Sequence, residues 1–429
     1  MGRRIRLVGM VLLVAGCGGE SGGPDAGEPP DGARADGRVG RDSGRDGAVP
    51  GDAPGTDGGP VTTREWITAY VAGWSLNAPP GGGYGHLPAA AIDYGAFTHA
   101  ILFALGVQSD GNLCCVADYD TFAPDRIRAV VRDGHAAGRP VLFSIGGAGN
   151  VEFADAIRPG SRATLVASVV EVLTTWGFDG VDLDMEPIAG SDEASYAAFV
   201  RDLHAALGTH ATPMLPRPLL TAACGNNPAL FASIADLFDQ INLMTYDMAG
   251  PWPGWVTWHN SPLWDGGFRF PSTGGLVPSA DSMVRGYLDA GVPARKLGIG
   301  IDFYGYVWSG GTGTPSGGVT EPRQSYGTDP SVRDNVPYHE IMDTLFDPSL
   351  RHWDDAAGAA YLSIDNPGSA DDRFVSYDDE QTAQAKVDYV RSEGLGGMII
   401  WEIGGGYRES APAGERDALL QALRRAAGL

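Results

Sequence analysis

Residues 178–186 read Phe178-Asp179-Gly180-Val181-Asp182-Leu183-Asp184-Met185-Glu186. Successive side chains of an extended strand point to opposite faces, so Asp182, Asp184 and Glu186 share one face and Val181, Leu183 and Met185 the other. The apolar face belongs against helices, which leaves three carboxylates aimed into an enclosed space and rising toward one end of it. Like charges side by side are costly to bury unless they share protons and hydrogen bonds, so the pattern points to chemistry rather than to packing. Glu186 is outermost, placed to meet a ligand, and its neighbours below can hold its pKa high enough to donate a proton.

Seven other short runs rich in β-branched and aromatic residues surround this one, at residues 68–74, 98–105, 140–147, 219–225, 239–247, 296–305 and 396–404, with 177–186 in fourth place. Several are separated by amphipathic stretches, such as 162–175 and 195–207, whose apolar residues recur at helical spacing. Eight near-continuous apolar strands alternating with helices predict an α/β fold of the (β/α)8 TIM-barrel type. The gap from Tyr306 to Leu395 is too long for one helix. It predicts a small α+β insertion between strands 7 and 8, at about 306–373, ahead of a last helix at 380–392. Loops at the C-terminal ends of barrel strands carry the chemistry, so this insertion should wall one side of a substrate cleft.

The chain has 429 residues, 43% of them hydrophobic and 19% charged, which is ample apolar side chain for a full core. Lys and Arg number 30 against 53 Asp and Glu, a net charge of −23 that argues against any nucleic-acid partner. Arg3, Arg4 and Arg6 precede a short apolar stretch that ends in Val14-Ala15-Gly16-Cys17, which resembles the lipobox of bacterial lipoproteins. Residues 1–17 are therefore read as a signal peptide with lipobox, and Cys17 as the lipidated mature N-terminus. The expected location is extracytoplasmic, on the cell envelope through the lipid anchor or secreted. Residues 18–60 hold 14 Gly, 7 Asp and 6 Pro and no aromatic residue, so 18–62 is expected to be a disordered tether and 63–429 the folded unit, a monomer. Of the remaining cysteines, Cys224 can pair with Cys114 or Cys115, or all three can be buried thiols. No Cys/His spacing suggests a metal, and no organic cofactor is expected.

Asp179-x-x-Asp182-x-Asp184-x-Glu186 resembles the signature of the family-18 glycoside hydrolases, the chitinases and their relatives. Ser144-Ile145-Gly146-Gly147 on the third run resembles the family's S-x-G-G, Met244-Thr245-Tyr246-Asp247 on the sixth its M-x-Y-D, and the eighth run offers Trp401. His259-Asn260-Ser261-Pro262-Leu263 and Ser376-Tyr377-Asp378-Asp379 resemble stretches of chitinases with an inserted α+β subdomain. The resemblance spans about residues 66–408. Two positions depart from it. Trp258 stands where many relatives have Gly before the His, and Asp302 replaces a more usual Pro before Phe303-Tyr304-Gly305. Both are expected to flank the cleft and to bear on substrate preference.

The resemblance implies hydrolysis of β-1,4-linked N-acetylglucosamine polymers, chitin first, by a retaining and substrate-assisted route. Glu186 would protonate the glycosidic oxygen while the 2-acetamido carbonyl of the −1 sugar attacks C1 to give an oxazolinium ion. Asp184 would orient the acetamido N–H, Tyr246 would donate its hydroxyl to the acetamido oxygen, and Asp182 would share a proton with Asp184 and relay its reorientation. Trp401 is read as the platform under that sugar, with Met244, Asp247, Tyr304, Trp74 and Trp252 also on the substrate. Trp255, Trp258, Trp264 and Trp308 follow strand ends where further sugar subsites could lie. Asp179, Ser144, Gly146 and Gly147 are read as supports behind the catalytic face, and His99 as a satisfied core residue. An endo-β-N-acetylglucosaminidase acting on N-glycans or peptidoglycan would share this chemistry. A catalytically silent, chitin-binding lectin of the family would lack the acid, which this sequence keeps.

Overall fold

Parallel strands buried on both faces need helices outside them and side chains filling the space within. The computed structural model describes residues 65–77, 85–115, 124–328 and 330–429, all within one compact unit, Glu65–Leu429. Eight strands form a ring: β1 (Trp66–Ala72), β2 (His99–Val107), β3 (Val141–Gly146), β4 (Gly180–Asp184), β5 (Leu219–Cys224), β6 (Gln240–Leu243), β7 (Leu297–Asp302) and β8 (Gly397–Trp401). Each pairs in parallel with the next, and β8 returns to β1. This is the (β/α)8 TIM barrel that the eight apolar runs predict. A short strand, Leu113–Cys115, adds antiparallel to β2.

The parity of β4 decides what the barrel encloses. Val181 and Leu183 are fully buried in the layer under the helices. There the helix Arg162–Trp176 presents Leu165, Val169 and Leu173, and the helix Glu193–Leu207 presents Phe199, Val200 and Leu203. Gly177 ends the first of these in a left-handed conformation (φ 71°), its N–H on the Leu173 carbonyl, and so aims the chain into β4. Asp182 and Asp184 point the other way, into an interior that Tyr70, Ile101, Leu142 and Ile399 partly fill.

Between β7 and β8 the chain builds a second, antiparallel sheet. Its strand order is Pro330–Pro337, Tyr304–Gly310, Arg373–Tyr377, Ala359–Ile364, Arg351–Asp354. The strand Tyr304–Gly310 starts two residues after β7 ends, so Tyr304 and Tyr306 are delivered from the C-terminal end of the barrel. The chain returns through the helix Glu380–Ser392. Asp379 fixes its start by accepting from the Gln381 and Thr382 N–H groups, and the Thr382 hydroxyl answers the Asp379 N–H.

Several strands stop sooner than the sequence suggests, and two of these ends shape the site. The fourth run was read to Glu186 and the sixth to Asp247, but the ladders end at Asp184 and Leu243. Past Leu243 the Thr245 hydroxyl replaces the ladder, donating to the Gly300 carbonyl (3.0 Å) and accepting its N–H (2.8 Å). Tyr246 and Asp247 are thereby released from strand geometry. Cys224 is a free, buried thiol on β5, set against the Asn242 carbonyl at 3.4 Å. The signal peptide, Cys17 and the tether lie outside the described residues.

Candidate active site

Ser144, Asp182 and Thr221 lie side by side in the registers of β3, β4 and β5. Asp182 is wholly buried and accepts three hydroxyls: Thr221 Oγ1 at 2.6 Å, Ser144 Oγ at 3.0 Å and, from β1, Tyr70 Oη at 2.8 Å. Burial pushes its pKa up while these hydrogen bonds hold the rise back. Three hydroxyl donors tie Asp182 down as an acceptor, and Asp184 meets Glu186 instead.

Two glycines shape that upper pair. Gly146 has a positive φ (102°), and a Cβ there would come within 2.2 Å of the Asp184 carbonyl oxygen; the Gly147 N–H donates to the same oxygen at 2.7 Å. The Asp184 backbone is thus clamped against β3. Its buried Oδ1 has no hydroxyl, amide or cation on it, and the carboxyl is in hydrogen-bond contact with that of Glu186. Two carboxyls in such contact need a proton between them. Burial, then the charges of Glu186 and Asp182, push Asp184 well above the usual carboxylate range. Burial raises Glu186 to about 7, with the Asp247 charge adding to the rise and the Asp184 hydrogen bond and the Ala148 N–H opposing it.

A general acid works only while it holds its proton, and a raised pKa carries the protonated form to higher pH. We expect kcat/KM of the free enzyme to decline as the pH passes about 7. A pH–rate profile measures it, and a decline already at the ordinary glutamic acid value of 4.5 would remove Glu186 from that role.

Tyr246, three residues past the end of β6, packs its ring against β7, where a Cβ on Gly300 would stand within 2.5 Å of Cε1. Burial and the charges of Asp184, Glu186 and Asp247 push its pKa well up, so it remains an O–H donor. Asp247 follows in a left-handed conformation (φ 58°), which costs a non-glycine residue about 1–2 kcal/mol. Its backbone is held there by Asn260, whose Oδ1 accepts the Asp247 N–H at 3.0 Å and whose carbonyl accepts the Met248 N–H at 2.9 Å. The carboxylate takes the hydroxyls of Tyr304 (2.6 Å) and Tyr306 (2.8 Å) on one oxygen and stays open to solvent. Across the mouth, half-buried Trp401 stands edge-on to Phe103 (4.6 Å), Tyr70 (5.2 Å) and Trp74 (6.0 Å), an aromatic floor at the end of β8. An acid with a raised pKa, a carboxyl touching it, a phenol donor and an aromatic floor suit the protonation and cleavage of a sugar linkage.

Residues 67–406 match the model of glycosyl hydrolases family 18. The chain belongs to this family. It is 32% identical over 295 residues to Chitinase A1 of Niallia circulans, covering 62% of this chain and 40% of that protein, so it spans about two fifths of that relative's length. It is 30% identical over 332 residues to a class V chitinase of Arabidopsis thaliana, covering 74% and 82%. Among solved structures, the Group IV chitinase of Ostrinia furnacalis shares the fold, with a TM-score of 0.70 at 22% identity over 84% of this chain and 98% of that one.

The family-18 motifs converge on one end of the barrel, with exceptions. Asp179 sits at the opposite end, just before β4, accepting His135 Nε2 (2.6 Å) and the N–H groups of Val141 (2.9 Å) and Met214 (3.1 Å). It pins the entry of the strand and does not stand behind the catalytic face. Trp258 and Asp302 do not flank the cleft, and Trp308 cannot stack on a sugar, because all three are fully buried. Trp264 stands edge-on to Tyr389 of the outer helix. Trp252 remains half-buried on the loop after β6, edge-on to Trp255 at 4.3 Å, and Met244 packs beside the Tyr246 cluster. His99 is satisfied by Thr98 Oγ1 at 2.8 Å. Sequence reasoning missed Tyr70, Thr221, Tyr306 and Phe103. Tyr70 shares the inward parity of Thr68 and was within reach of the argument applied to β4. Thr221 was not, because its place beside Asp182 depends on the register between strands.

Proposed function

We propose that the chain hydrolyses β-1,4-linked N-acetylglucosamine polymers with retention, the 2-acetamido group of the substrate acting as nucleophile. The observation that carries this reading is the contact between the carboxyls of Asp184 and Glu186. Carboxyls that interact directly are poorly spaced to act as acid and nucleophile on a sugar carbon between them, which supports an attacking atom supplied by the ligand. Glu186 donates its proton to the glycosidic oxygen. Asp184, released from Glu186 as that proton leaves, accepts the acetamido N–H and balances the developing positive charge. Tyr246 donates to the acetamido oxygen, and Asp182, fixed by three hydroxyls, holds a negative potential under the site. Trp401 supports the −1 sugar from below. The inserted sheet, which brings Tyr304 and Tyr306 to the site, adds a wall suited to a long chain. The chitinase names of the relatives point to the same substrate class.

Product analysis tests this directly on an N-acetylglucosamine hexamer, colloidal chitin and a high-mannose glycopeptide. The expected products are short N-acetylglucosamine oligomers from the first two, with internal cleavage of the hexamer. Glycan release from the glycopeptide with chitin untouched would make the chain an endo-β-N-acetylglucosaminidase. Binding without turnover of any of them would make it a lectin.

A further inference from the structure

Beneath the cleft, buried polar side chains from separate segments form a line. Lys386, on the helix Glu380–Ser392, is fully buried; its ammonium is bound to Asp378 and donates to Ser261 Oγ (2.6 Å) and the Gly300 carbonyl (3.3 Å), with Asp302 Oδ1 at 3.9 Å. Asp302, the last residue of β7, is also fully buried; its carboxyl is in hydrogen-bond contact with that of Asp378, and its Oδ2 accepts Asn260 Nδ2 at 2.5 Å. Asn260 Oδ1 accepts the Asp247 N–H at 3.0 Å. The line thus runs from an outer helix to the residue that turns into the cleft.

One cation and two carboxyls in a dry interior fix the protonation. Two carboxyls in hydrogen-bond contact hold a proton between them, and burial with the Asp378 charge pushes Asp302 well up. Lys386 is bound to Asp378, and the buried Asp302 beside them is pushed toward the neutral acid. The Asp247 N–H at one end and the accepting Asp302 oxygen at the other set the directions along the line. Asp302 Oδ2 accepts the Asn260 amide. With Nδ2 committed there, Asn260 must turn Oδ1 toward the Asp247 N–H; the flipped amide would set donor against donor at one end and acceptor against acceptor at the other.

We propose that Asp302 is a positioning residue: its buried carboxyl orients Asn260, and Asn260 fixes the left-handed Asp247 whose carboxylate serves the substrate site. The inference rests on the proposed function for its kinetic readout, and on structure alone for a second one.

Asn has the shape of a protonated Asp and the same acceptor and donor, so D302N is the conservative variant. D302A and N260A cut the line. We expect kcat/KM on the hexamer to fall on the order of 10- to 100-fold in D302A and N260A, through misplacement rather than loss of a reacting group, and D302N to recover most of it. In N260A the high-pH decline should move to lower pH, because the groups that face Glu186 are Asp184, Tyr246, the Ala148 N–H and Asp247, and only the Asp247 charge is displaced. A D302N variant as damaged as D302A, or an unmoved decline in N260A, overturns the proposal. A crystal structure of D302A reads it independently of turnover. Asp247 outside the left-handed region supports the proposal, and Asp247 unmoved refutes it even if the wild type proves inert toward every sugar, a result that would defeat the functional reading alone.

Discussion

Replacement of Glu186 by Gln is expected to lower kcat on the N-acetylglucosamine hexamer at least about 10³-fold, while the dissociation constant of the hexamer stays within about threefold. The amide keeps the shape and polarity of the side chain but has no proton to give. Steady-state product analysis and calorimetric titration measure the two quantities, and residual turnover within about tenfold of wild type would deprive Glu186 of its role. A second buried glutamic acid gives this test its control. Glu402, beside Trp401, is also raised to about 7 by burial, so pKa alone does not choose between them. Geometry does. Glu402 accepts Ser75 Oγ (3.1 Å) on one oxygen and the Gly404 N–H (2.9 Å) on the other and caps the short helix Ile403–Gly406. Glu186 has only Asp184 and one backbone N–H and stands at the open end of β4. E402Q should therefore alter stability more than chemistry.

The barrel was legible because its signal is local. A run of β-branched residues bounded by turns announces a strand whatever its partner, and parity alone placed Asp182 and Asp184 inside. Glycines 146 and 147 could be named from their motif, yet the reason for them is a close approach to the Asp184 backbone and to the Phe103 ring, which no spacing within 144–147 reveals. Relations across strands were likewise hidden. The three hydroxyls on Asp182 come from β1, β3 and β5, and their convergence depends on register and closure. Tryptophans misled for the converse reason. A large aromatic after a strand end fits a subsite or a core equally well, and the inserted sheet uses Trp308 to fill its own interior. Asp302 looked like a cleft residue because it ends a strand beside the site, but its side chain turns under the cleft to Asn260.

Fully deacetylated chitosan oligomers and cellohexaose should resist the enzyme, with rates at least about 10³-fold below the N-acetylated hexamer. Enzymes that use two carboxylates hold them about 5–5.5 Å apart when one is the nucleophile and about 6.5–9.5 Å apart when a water is, and family 18 is among the exceptions to both. In this chain Glu186 follows Asp184 by two residues, just past the end of β4, and the two carboxyls interact directly, which fits the family's exception better than either spacing. Without a substrate carbonyl oxygen there is nothing to attack C1 from the far side, and the leaving-group proton from Glu186 is by itself insufficient. The same logic makes a thiazoline analogue of the oxazolinium ion a strong inhibitor, since Asp184 and Tyr246 would meet its nitrogen and ring heteroatom as they meet the intermediate. Rates on glucosamine hexamer or cellohexaose comparable to that on the N-acetylated hexamer would require Asp184 to act as nucleophile or base in its own right. The contact between the two carboxyls would then have to open before any bond is broken, and the mechanism would fail while the barrel stands.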